Sequence, residues 1–153
     1  MLLEESLEKK EYEWDTTGVP AGMYRIKLVA SDRKDNAAED CLSATRISAA
    51  VPVAHLPPNV TLKLAGFEGD RAVLEATATD PLVRLTEASF AVNGKKWANV
   101  FPTDGLFDSK TEHFRFQTDA LRPGTHVVVL RVRDAAGNVG SGDVVFTVPA
   151  AKK

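Results

Sequence analysis

The chain has 153 residues, 44% of them apolar and 26% charged, with a formal net charge of -2. That length suits one or two small domains with ordinary cores, and the scattered acids and bases form no basic stripe that would neutralise phosphates, which argues against nucleic acid as a partner. The lone Cys41 excludes an intramolecular disulfide and a cysteine-built zinc site.

Residues 1–10, MLLEESLEKK, spread three leucines among charges, which fits neither the apolar run of a signal peptide nor a membrane span. Acids precede lysines there, and Leu3 and Leu7 lie one helical turn apart, a pattern open to a short helix or an extended start. EYEWDT then alternates charge with aromatic, placing Tyr12 and Trp14 on one face of a strand. TGVPAG supplies turn dihedrals. A strand from Tyr24 to Ala30 follows, with Tyr24, Ile26, Leu28 and Ala30 inward and Arg25 and Lys27 in solvent. The polar loop SDRKDNAAED leads to a third strand near Leu42 to Ser48.

Residues 51–58, VPVAHLPP, read as a semi-rigid linker, since proline enforces extended backbone and removes ladder donors. Beyond it, VTLKL, RAVLEATAT, EASFAV, KKWANV, EHFRFQT, THVVVLRV and DVVFTV are seven short strands separated by turn signals, the count and spacing of a sandwich. Asn93-Gly94 predicts a type I′ hairpin turn, with Ala88, Phe90 and Val92 facing the core. FPTDGLFDS, from Phe101 to Ser109, is too long for a tight turn and predicts a crossing between two sheets.

The chain also repeats itself. Gly22, Ile26, Leu28, Asp32 and Asn36 match Gly124, Val128, Leu130, Asp134 and Asn138 at a constant offset of 102, and Tyr12 and Trp14 match Phe114 and Phe116. The repeated pattern of a proline-glycine turn, an alternating strand, an Asp and a later Asn resembles bacterial fibronectin type III or immunoglobulin-like modules. SFAVNGKKWANVFPTDGLFDS through RDAAGN is similar to such modules in large exported multidomain proteins. The immunoglobulin cysteine pair is absent, no tryptophan stands among Arg71 to Thr79, and the tyrosine-corner position held by Tyr24 is His126 in the second copy.

The resemblance implies an all-β chain of two such sandwiches in tandem. Residues 1–50 would be an incomplete unit of about three strands, 51–58 the linker, 59–149 a complete unit of about seven strands, and 150–153 a tail. Trp14, Ile26 and Leu28 would then lack much of their partner sheet and form an apolar patch. That patch would be covered by other domains of a longer parent chain, by the second unit, or by self-association with a neighbouring chain.

Two constellations stand out beside their structural readings. Asp80, Asp134 and Asn138 suit either side-chain bonds to loop amides or the start of a calcium site. Trp97, Phe101 and Phe107 suit either core packing or an aromatic platform for sugar rings. The histidines are dispersed, with His113 and His126 on strands of different sheets, and Asp104 and Asp108 sit in a loop whose composition suits turn chemistry. No catalytic motif is evident. The expectation is a non-catalytic, cofactor-free structural or interaction module of an exported bacterial protein, extracellular or periplasmic. The alternative is carbohydrate or cell-surface ligand binding around Trp97 to Asp108.

Overall fold

The computed structural model describes residues 11–36 and 39–150. The helix-or-extended start over residues 1–10 and the end of the tail lie outside the described residues. The chain is all-β and divides into two compact units, Met1–Val53 and Ala54–Lys153.

The first unit is built on one hairpin ribbon. Strand β1 (Gly22–Tyr24) pairs antiparallel with β4 (Val51–Val53), and β2 (Lys27–Ser31) with β3 (Ser43–Ile47). Two corrections to the sequence reading follow. Residues 11–16 form no strand: the Trp14 ring packs edge-on to Tyr24 at 5.7 Å, and among the described residues no backbone ladder engages the segment. Val51–Val53 are not linker but strand, with Val53 buried and Pro52 opposite Met23. Both strands of a two-stranded ribbon are edges, where a missing donor is tolerated.

The second unit contains the seven expected strands: β5 (Asn59–Glu68), β6 (Arg71–Thr79), β7 (Leu85–Val92), β8 (Ala98–Asn99), β9 (Thr111–Gln117), β10 (Gly124–Asp134) and β11 (Val139–Val148). They form two antiparallel sheets, ordered β5-β6-β9 and β11-β10-β7-β8. This is the strand distribution of an immunoglobulin-like sandwich. The Phe101 to Ser109 segment makes the crossing, from β8 in one sheet to β9 in the other. Asn93 and Gly94 both have positive φ, 51° and 68°, the values a type I′ turn demands. Pairing resumes late, at Ala98 opposite Phe90, so β8 is short.

The inward stripes fill the space between the sheets. Val128, Leu130 and Val132 of β10 and Leu74 of β6 are fully buried, and they pack in one cluster with Leu85, Ala88, Phe114 and Phe116. Truncating one of these leucines to alanine in such a core costs about 2–5 kcal/mol.

Strand β5 closes the sandwich along β11. At Gly140 an added Cβ would overlap the Pro58 carbonyl oxygen, and at Gly142 it would lie 2.6 Å from that of Val60. Glycine is required at both places for backbone to meet backbone. The order of these contacts, Pro58 to Gly140 and Val60 to Gly142, shows that β5 and β11 run in the same direction.

Candidate functional site

The crossing between the sheets is the most irregular part of the second unit, and the chain pins it with its own polar groups. Val100 is buried, and its N–H donates to Ala88 O at 3.0 Å. Both the N–H and the hydroxyl of Thr103 donate to His113 O, at 2.7 and 3.0 Å. Gly105, with φ of 84°, closes a turn onto Pro102 O, and Asp104 Oδ1 accepts from Leu106 N. The buried Glu112 carboxylate accepts from Asp108 N and Ser109 N, while Arg84 donates to Phe107 O.

The three aromatic candidates do not gather on one platform. Phe107 packs inward on the core cluster, its centroid 6.1 Å from Phe114. Phe101 stands beside it at 6.2 Å, with the ring planes inclined at 52°, and is 62% exposed. Trp97 belongs to another surface. Its ring lies under the Arg131 guanidinium at 4.1 Å, and Arg131 also donates from Nε to Ser89 Oγ at 2.8 Å. Arg131 and Ser89 alternate with the core residues Leu130, Val132, Ala88 and Phe90, so Trp97 covers the outer face of the β7-β10 sheet. One face of its ring is already occupied by a cation–π contact.

The acidic candidates share a pole of the sandwich, and each serves its own loop. Asp80 Oδ1 accepts from Leu82 N and Val83 N, both at 2.8 Å. Asp134 Oδ1 accepts from Ala136 N and Asn138 N, and its Oδ2 accepts from Asn138 Nδ2. The same Asn138 amide donates to Ala54 O at 3.2 Å, tying the incoming chain to the β10–β11 loop. Both carboxylates are buried, and their lone pairs satisfy backbone donors that would otherwise be orphaned. Among the described residues no cluster of three or more His, Cys, Asp or Glu side chains is placed to hold a metal ion.

A further polar surface comes from alternation along β9, which turns His113 and Arg115 outward while Phe114 and Phe116 enter the core. Across the β5-β6-β9 face, Lys63 and Arg115 flank Glu75, with Lys63 Nζ at 3.2 Å, and Thr77 Oγ1 lies 3.1 Å from His113 Nδ1. These residues line, with Thr103, a shallow concavity of about 430 Å³. The hydrogen bond from Lys63, and then its charge, holds the Glu75 carboxyl below the usual carboxylate range. Sequence reasoning passed over this face because its members come from three strands, and only the outward phase of TEHFRFQ hinted at it.

No protein-family model matches the chain, and no curated protein does. Among solved structures, it is similar to the PKD1 domain of the metalloprotease PrtV from Vibrio cholerae, with 14% identity and a TM-score of 0.44. That match covers 62% of this chain and 100% of that one. The PKD1 domain of Epp from Vibrio anguillarum is comparable, at 13% identity and a TM-score of 0.44, covering 63% of this chain and 99% of that one.

Proposed function

We propose that this chain is a non-catalytic spacer or presenting module within a larger exported bacterial protein, its partners being the other domains of that parent. One observation carries the reading: in the second unit the chain comes in and leaves at opposite poles. Pro58 and Asn59 lie at the near pole, against Gly140 and opposite Thr79, while Val148 ends β11 at the far pole, opposite Gly124. Ten residues of β11 separate the two, a span of about 30 Å at the rise of a strand. A domain threaded in this way extends a polypeptide in line. The polar groups that could have served a ligand at the near pole are committed to its loops. The export setting is supported by the resemblance of the repeated pattern to modules of exported multidomain proteins.

The test places the second unit between two fluorescent reporters and compares it with a flexible Gly/Ser linker of equal length. The expected result is a narrow distance distribution centred near about 30 Å for the unit, against the broad distribution of the flexible linker. A distribution as broad as the linker's would overturn the spacer reading.

The exposure of Phe101, beside a face carrying Thr103 and His113, favours a second reading in which this region contacts glycans or another cell-surface ligand, with Trp97 and Phe107 nearby in sequence. Phe101→Ala would then weaken retention on a glycan array, and unchanged retention would remove it.

A further inference from the structure

The turn between β7 and β8 is held by its own first residue. Asn93 and Gly94 have φ of 51° and 68°, and Lys95 N donates to Val92 O at 3.1 Å to close the turn. Asn93 also reaches β10 with three groups. Its N–H donates to Val127 O at 2.8 Å, its Oδ1 accepts from Val127 N at 2.9 Å, and its Nδ2 lies 2.9 Å from His126 Nδ1. Only the oxygen of the amide can receive the Val127 N–H, so the backbone of β10 fixes which way the amide lies. Both polar atoms of the side chain are thus engaged from the β10 side, although residue 93 is exposed to solvent.

An asparagine followed by a glycine carries a chemistry of its own. The backbone nitrogen of the glycine, losing its proton to base, attacks the side-chain carbonyl carbon of the asparagine. A carbon–nitrogen bond forms and closes a cyclic imide, while the bond from that carbon to the amide nitrogen breaks and ammonia leaves with the proton. Water then opens the ring from either side, giving aspartate or isoaspartate, and no oxidant or reductant is needed. Gly94 has no side chain to shield its nitrogen, and a Cβ built there would meet nothing within 4 Å. For the attack, the Asn93 amide must swing from β10 towards Gly94, which breaks its bonds to Val127 and His126.

We infer that Asn93 is a site of spontaneous deamidation gated by the corner it forms with His126: the residue is locked while the corner is closed and converts through its openings. His126 is the latch. Its Nε2 is tied to Arg122 O at 2.8 Å, which leaves Nδ1 as the acceptor for the amide. Conversion then undoes the corner. Aspartate at this place sets an oxygen where Nδ2 stood, so that two acceptors face each other while Nε2 keeps its proton. Isoaspartate lengthens the main chain within a two-residue turn, and the pairs it sets, Ser89 with Asn99 and Phe90 with Ala98, lose register. The site goes beyond the spacer reading and does not depend on it.

Peptide mapping by mass spectrometry, after timed incubation of the full chain at mildly alkaline pH, reads aspartate and isoaspartate at residue 93. A synthetic peptide of residues 88–98 gives the rate without the corner. The folded chain should convert at Asn93 more than about tenfold slower than the peptide, as an opening that breaks two hydrogen bonds requires. His126→Ala should bring the rate several-fold towards that of the peptide, whereas Asp80→Ala, at the opposite pole of the sandwich, should leave it at the wild-type value. In the unmutated chain the ratio of folded to peptide rate should match the open fraction given by hydrogen exchange at the Val127 amide, whose acceptor is Asn93 Oδ1. Residue 93 intact while the peptide converts fully, a folded chain as fast as the peptide, equal rates in wild type and His126→Ala, Asp80→Ala as fast as His126→Ala, or a ratio that departs from the open fraction each overturns the proposal. The exchange comparison, read on the unmutated chain, tests it even if a variant fails to fold.

Discussion

His126 holds the start of β10 to the turn before it, Nε2 lying 2.8 Å from the carbonyl oxygen of Arg122. A carbonyl only accepts, so Nε2 carries the proton and Nδ1 is left to accept from Asn93 Nδ2 at 2.9 Å. In the first unit Tyr24 donates its hydroxyl to Pro20 O at 2.7 Å, four residues upstream as in the second. The two positions are 102 apart, so different side chains make the same corner. His126→Ala should lower the stability of the second unit by about 1–2 kcal/mol, the net worth of a hydrogen bond plus the unpaired Asn93 amide. His126→Tyr, which restores a donor on an aromatic ring, should cost less. Chemical denaturation of the three proteins checks both.

Asp134 accepts three bonds within its own loop. Asp134→Ala should therefore destabilise by about 3 kcal/mol, because it removes a buried acceptor shared by two loop N–H groups and the Asn138 amide. Millimolar calcium should leave the melting temperature of the wild type unchanged, since a ligand selective for the folded state must raise it. A calcium-dependent rise would show that the carboxylates bind metal in preference to amides.

Gly140→Ala and Gly142→Ala should each cost roughly 2–4 kcal/mol, because backbone of β5 occupies the space of the new Cβ and cannot move as a side chain would. Ser141→Ala, on the exposed face between them, should stay within about 0.5 kcal/mol of wild type. Thermal and urea unfolding of the three variants separates these outcomes.

Glu75 titrates below the ordinary carboxylate range because Lys63 donates to it, with Arg115 adding to the effect. Since its folded-state value is depressed, its contribution to stability is present above the unfolded-state value and is lost as the pH falls through the folded one. Lys63→Met should move the titration of Glu75 upward, and high salt should do so in the wild type, as both groups lie in solvent. Carbon-detected NMR titration reads the shift directly.

Much of the second unit was legible because local pattern and tertiary role agree there. The alternation that put Ala88, Phe90 and Val92 inward is the alternation observed, and Asn93-Gly94 turns as its dihedral needs dictate. The first unit was harder. EYEWDT has strand periodicity but no ladder in the described structure, and a strand is defined by its neighbours more than by its propensity. Val51–Val53 were misjudged for the converse reason: proline suggested a linker, while the pairing with Gly22–Tyr24 makes a strand.

The Asp134 loop was readable from an Asp followed four residues later by an Asn, a local signal that the Asp80 loop, with Arg84 at that place, lacks. The fate of Trp97 was not, because Arg131, which covers it, comes from a strand far along the chain. No periodicity reports a contact of that kind.

The in-line threading of the second unit has a mechanical consequence. Strands β5 and β11 run side by side in one direction and leave at opposite poles, so a pull on both ends loads their contact in shear. Single-molecule force spectroscopy of the second unit tests this most directly. The prediction is one cooperative rupture that releases the whole unit, with a contour gain of about 300 Å for a chain of this length. Early low-force detachment of β5, ahead of a separate event for the remaining strands, would contradict it.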